Sequence, residues 1–124
     1  MIKRGFGMTA DEAIGIYDLC EKKFGKQIYL IDRGIVTFDR HPVSRWSPDL
    51  KGVLWIKNER PDIFSRLVID CSHSVFDKRM VGDVYRAFRA VGVEHFMFEC
   101  TIDGKSLTDQ AHMLSVAELA DILE

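Results

Sequence analysis

Residues 66–100 read RLVIDCSHSVFDKRMVGDVYRAFRAVGVEHFMFEC, and the interpretation of the whole chain turns on them. Leu67 to Cys71 is a short apolar run containing the β-branched Val68 and Ile69, and the polar Ser72-His73-Ser74 closes it. A run of that length and composition predicts a buried strand. Met80, Val81, Val84, Tyr85, Phe88 and Val91 then recur at helical spacing, and Gly92 supplies a stop. His95 to Cys100 is a second, aromatic-rich strand. Two strands joined by a helix imply a parallel pair, because a tight turn can only reverse the chain.

Upstream, residues 1–7 carry no pattern and are expected to form a loose arm before a domain over 8–124. Thr9-Ala10-Asp11-Glu12 is a capping box: the Thr9 hydroxyl can accept from the Glu12 amide while the Glu12 carboxylate reaches back. Ala13, Ile14, Tyr17, Cys20 and Phe24 then share one face of a helix that Gly25 ends. Gln27 to Ile31 and Ile35 to Phe38 are β-rich. The Asp32-Arg33-Gly34 between them predicts a hairpin with its glycine in the left-handed region. Asp39 to Gly52, with Pro42 and Pro48, is expected to be an irregular loop, and a loop that long is often functional. Val53 to Lys57 reads as a third strand, and Asp62 to Ser65 as one helical turn.

Downstream, Asp103-Gly104 marks a turn, and Ser115-Val116-Ala117-Glu118 is a second capping box that opens a final helix. The summed order is α-β-β-β-β-α-β-α. It predicts a single-domain α+β fold, with a mixed sheet of about five strands, one βαβ unit and three helices packed on it.

Composition narrows the possibilities. The formal net charge is −2, which gives no overall pull toward nucleic acid or membrane. Its distribution is uneven: beyond residue 93, Lys105 is the only base against Glu94, Glu99, Asp103, Asp109, Glu118, Asp121 and Glu124. The three cysteines are widely spaced within apolar segments and indicate no disulfide framework, which favours a reducing, cytoplasmic setting. No secretory leader or bilayer-length apolar segment is found, so no membrane association is expected.

Four places carry candidate chemistry. The turn Ser72-His73-Ser74 lies at a strand's carboxyl end, where hydroxyls, free amides and an imidazole can hold an anion. It lacks the glycines of a nucleotide-binding loop, and a simple capped turn is the competing interpretation. Cys71, His73, Cys100 and His112 form the one metal-ligand set. Their spacing is not that of zinc pairs, and strand alternation groups the cysteines with core residues, so neither metal nor cofactor is expected. A cysteine or serine nucleophile would need His41, His95 or His112 as a distant partner, and no nucleophile-elbow pattern surrounds any serine. The fourth place is the Arg33–Arg60 region. There Arg40, His41, Arg45 and Trp46 combine cationic and aromatic side chains of the kind favoured in protein interfaces. Arg86 and Arg89, on the polar side of the central helix, form a second patch.

The run LVIDCSHSVF followed by a helix resembles the strand-to-helix segment of anti-sigma-factor antagonist (STAS) domains. Those domains carry a serine near the helix start. Asp77-Lys78-Arg79 stands there in this chain and the upstream order differs, so no family is assigned. The expected function is therefore a protein-binding module (an adaptor, inhibitor or immunity-type protein) acting through the Arg/Trp/Pro loop rather than an enzyme. An enzyme or anion-binding protein using Ser72-His73-Ser74 is the alternative, and weak single-stranded nucleic-acid binding the third. A protein partner is expected, and an open sheet edge would permit a homodimer.

Overall fold

A computed structural model of the protein describes residues 1–25, 28–38 and 46–124. The elements in chain order are β1 (Ile2–Lys3), α1 (Ala10–Phe24), β2 (Leu30–Asp32), β3 (Ile35–Val36), β4 (Trp46–Ser47), α2 (Leu50–Glu59), α3 (Pro61–Phe64), β5 (Leu67–Asp70), α4 (Lys78–Ala90), β6 (His95–Met97), β7 (Cys100–Thr101), β8 (Leu114–Ser115) and α5 (Val116–Leu123). The main sheet has the order β1-β2-β5-β6, and every pairing in it is parallel.

Neighbours within the main sheet therefore follow one another in chain order, each pair separated by at least one helix. A doubly wound sheet would reverse its order partway; this one does not. Alternation along the strands sorts their side chains between two faces. Ile2, Leu30, Leu67, Ile69 and Phe96 pack with Tyr17, Val53, Ile56, Val81 and Phe88 of the helices in one hydrophobic core. On the other face Lys3, Ile31, Val68 and His95 pair in register across all four strands. Ile31 and Val68 are buried yet stand outside the helix-side core, and a cleft of about 810 Å³ runs past Tyr29, Val68, His95 and Met97. Helices on one face, with a second lined face opposite, describe one arc of a β/α-barrel wall.

The expected α+β fold with a mixed five-stranded sheet is thus corrected to a parallel β/α arrangement, and three local differences account for it. Ile2–Lys3 is a paired edge strand where a loose arm was expected, and Arg4 beyond it is buried. Ile35–Val36 does not fold back on β2 as a hairpin; it pairs antiparallel with Trp46–Ser47. Val53–Lys57 is helical, because Asp49 accepts a hydrogen bond from the Gly52 amide and starts α2. Val53 and Ile56, three residues apart, are fully buried on that helix, and a five-residue window of VLWIK fits either period.

Other expectations agree with the structure. Both capping boxes are made, at Thr9 and at Ser115. The central helix α4 is capped by Asp77 and buries Val81, Val84 and Phe88, each contributing roughly 1.5–3 kcal/mol before entropy is charged. Gly92 follows it with φ +97°, a left-handed conformation that suits glycine. Among the described residues no helix is long and apolar enough to cross a membrane.

Candidate active site

In a parallel β/α arrangement the carboxyl ends of all strands meet at one rim, and loops there carry the chemistry. At this rim Arg4 follows β1, Arg33 follows β2, Asp70 ends β5 and Glu99 lies two residues past β6. Arg4 ties the rim together. It is almost fully buried, and its Nη1 donates to Asp32 Oδ2 at 2.6 Å and contacts Asp49 Oδ2 at 2.7 Å, while Nε and Nη2 donate to the Met8 carbonyl. Burial penalises the charged guanidinium, but the two carboxylates more than offset this and hold Arg4 above its ordinary value. Burial also raises the Asp32 carboxyl, with Arg4 pulling it back.

The second cluster is built by the turn after β5. The buried Asp70 carboxylate accepts from the His73 amide at 3.0 Å and lies 2.9 Å from His73 Nδ1, which fixes the imidazole. His73 Nε2 then faces Glu99 Oε1 at 3.4 Å, and Glu99 Oε2 meets His112 Nε2 at 2.8 Å. Glu99 is pinned at its backbone: its amide donates to Ser72 Oγ at 2.9 Å and its carbonyl accepts from the Leu114 amide. The donor atoms of His73, Glu99 and His112 all lie within 4.8 Å of one another.

An aromatic wall runs beside the cluster. The His112 ring lies 4.3 Å from Phe76, Phe76 lies 5.3 Å from Trp46, and Trp46 lies 4.8 Å from Phe6. Phe76 holds φ +56°, an uncommon conformation for a non-glycine residue. Its ring is clasped on both sides, which keeps that turn in place. The Arg33 guanidinium sits 4.6 Å over Phe6, and its buried Nε has no hydrogen-bond partner among the described residues.

The imidazole and carboxylate fit a divalent cation chemically. Asp70 fixes Nδ1 of His73, so the Nε2 lone pair points toward Glu99, and mixed nitrogen and oxygen donors suit first-row divalent metals. A cleft of about 530 Å³ between Phe6, Met8, Lys51 and Trp55 opens nearby, but His73 and Glu99 do not line it. The chemistry, not that volume, locates the site.

The residues singled out from sequence fare differently. Arg40, His41 and Arg45 lie outside the described residues. Trp46 packs into the aromatic wall. Arg86 and Arg89 are exposed on α4, where Arg86 bonds Asp83 and both line a shallow groove beside α5, away from the rim. Ser72 and Ser74 are buried; Ser72 accepts from Glu99 and Ser74 donates to the Cys71 carbonyl, so both serve the turn. Of the sulfur and histidine set, only the histidines converge. Cys71 is in the core, its thiol pushed up by burial and by Asp70, and Cys100 is exposed. Asp70 and Arg33 fell inside the turn and the region singled out but were given no role of their own, and Glu99 was missed. The signal was an acid ending an apolar strand run, as in LVID and FMFE.

Comparison with known proteins identifies the family. The model of the DAHP synthetase I family matches residues 1–124. Among solved structures, phospho-2-dehydro-3-deoxyheptonate aldolase (DAHP synthase) from Thermotoga maritima superposes with a TM-score of 0.87 at 27% identity, over 98% of this chain and 34% of that one. A truncated form of 3-deoxy-D-arabino-heptulosonate 7-phosphate synthase from the same organism gives 0.87 and 27%, over 98% of this chain and 45% of that one. The chain thus spans less than half the length of these relatives. No curated protein sequence matches it. These matches overturn the protein-binding module as the main reading and favour the enzyme alternative. The chain belongs to the DAHP synthetase I family.

Proposed function

We propose that this chain supplies the metal- and anion-binding rim of a DAHP-synthase-type enzyme, one that makes a phosphorylated seven-carbon keto acid by an aldol-type step. The observation that carries the proposal is the Asp70–His73–Glu99 relay at the carboxyl ends of parallel strands. His73 Nε2 and the Glu99 carboxylate would hold a divalent metal there. Such an ion polarises a carbonyl oxygen and so favours carbon–carbon bond formation next to it.

The remaining roles belong to the chain's own side chains. Asp70 keeps the His73 ring oriented through Nδ1. Arg33 offers a guanidinium without a carboxylate partner among the described residues, suited to a carboxylate or phosphate of the substrate. Arg4 is committed to Asp32 and Asp49 and keeps the rim in shape. The aromatic wall of Phe6, Trp46 and Phe76 excludes water from one side. A cytoplasmic location belongs to the same proposal, supported by three unpaired cysteines.

Calorimetry with 3-deoxy-D-arabino-heptulosonate 7-phosphate in the presence of Mn²⁺ tests the reading. Saturable binding is expected, weakened about tenfold or more by Arg33→Ala, which is about 1.4 kcal/mol, and lost with His73→Ala. Equal binding by all three proteins would exclude it.

A further inference from the structure

Three donor side chains converge at the rim, yet they are not equivalent. His112 is fully buried, and its ring is enclosed by Phe76 at 4.3 Å and His73 at 5.0 Å. Its Nε2 lies 2.8 Å from Glu99 Oε2, and its buried Nδ1 has no partner among the described residues. A neutral imidazole carries one ring proton, and the two placements differ sharply. On Nε2 the proton is donated to Glu99, and only a lone pair at Nδ1 is left bare. On Nδ1 it would be a buried donor without an acceptor, a loss of about 1–3 kcal/mol, while the Nε2 lone pair faced the carboxylate oxygen. Metal coordination through Nε2 requires this second, poorer arrangement.

We infer that His112 is a positioning residue: its Nε2–H donates to Glu99 and aims the other carboxylate oxygen at His73 Nε2, and His112 itself does not ligate the metal. The inference rests on the metal reading above. It makes the centre symmetrical in design, because each metal donor has one buried partner. Asp70 orients His73 at 2.9 Å, and His112 orients Glu99 at 2.8 Å. Partners of this kind typically change metal affinity by about 10–100-fold. The placement on the chain is consistent with that role. His112 comes from the segment between β7 and β8, and β8 begins at Leu114, whose amide donates to the Glu99 carbonyl. One short segment thus fixes both the backbone and the carboxylate of Glu99.

Nitrogen-15 NMR of the histidine rings, with Zn²⁺ titrated into the full chain, decides the matter. The metal-free protein should show His112 protonated at Nε2 and bare at Nδ1. Zinc should shift His73 Nε2 and leave the His112 Nε2 proton in place. His112→Gln retains an N–H donor and should keep zinc affinity within about threefold, whereas His112→Ala should lose about tenfold or more. Zinc replacing the His112 proton, or equal losses in the Gln and Ala variants, overturns the assignment while leaving the metal reading intact. Zinc that leaves His73 unshifted overturns the metal reading and the assignment together.

Discussion

Arg4 is the side chain on which the rim most depends. One guanidinium joins the ends of β1 and β2 to the cap of α2, through Asp32 at 2.6 Å and Asp49 at 2.7 Å, with almost no solvent contact. A buried pair of this kind is worth little over an apolar substitute, but removing one partner leaves the others as uncompensated buried charge. Arg4→Met should therefore lower unfolding stability by about 3–5 kcal/mol, measured by denaturant titration. A loss below about 1 kcal/mol would show that water or rearrangement satisfies both acids. Residue-scale features of this type were hidden in the sequence. Lys3-Arg4-Gly5 looks like an exposed basic arm, and nothing local reveals that two acids from distant segments surround Arg4. Glu99 was equally hidden, since its role depends on His73 and His112 arriving from separate loops.

Among the elements, those with chemical punctuation were legible. Thr9 with Glu12, and Ser115 with Glu118, announce helices because a side chain must satisfy free amides at each start. α2 was not legible, because its Asp49 cap sits within a proline-containing stretch and its continuous apolar run Val53–Ile56 fits a strand as well as a helix. The α5 cap also ties that helix to α4: Glu118 Oε1 meets Lys78 Nζ at 2.8 Å, while Oε2 accepts from the Ser115 amide at 2.7 Å. Lys78 first, and Ser115 second, hold the Glu118 carboxyl down to about 2 from 4.5. A folded value below the unfolded one gives stability that is fully present above about 4.5. It is then lost as the pH falls through about 2. Hydrogen exchange should show α5 amides losing protection relative to α4 across that window, and Glu118→Gln should flatten the dependence. Parallel behaviour of the two helices in both proteins would contradict this role.

Across the whole molecule, the β5–α4–β6 unit was readable because its helix is long and strongly patterned and apolar runs flank it on both sides. The sheet around it was not. β1 is only two residues long, and its parallel pairing with β2 spans a helix, so no local pattern specifies it. Once strand order is known, the candidate cluster can be located, since four carboxyl ends gather Arg4, Arg33, Asp70, His73 and Glu99 at one rim. The turn Ser72-His73-Ser74 contributes His73 to the candidate cluster, while its two serines hydrogen-bond within the scaffold. The proposed role of His73 and Glu99 is to form a divalent-metal centre. Anomalous diffraction from crystals soaked in Mn²⁺ tests it most directly. A peak is expected about 2.0–2.3 Å from His73 Nε2 and from a Glu99 oxygen, absent in His73→Ala. Manganese bound only elsewhere, or no peak beside an ordered His73 and Glu99, would contradict it.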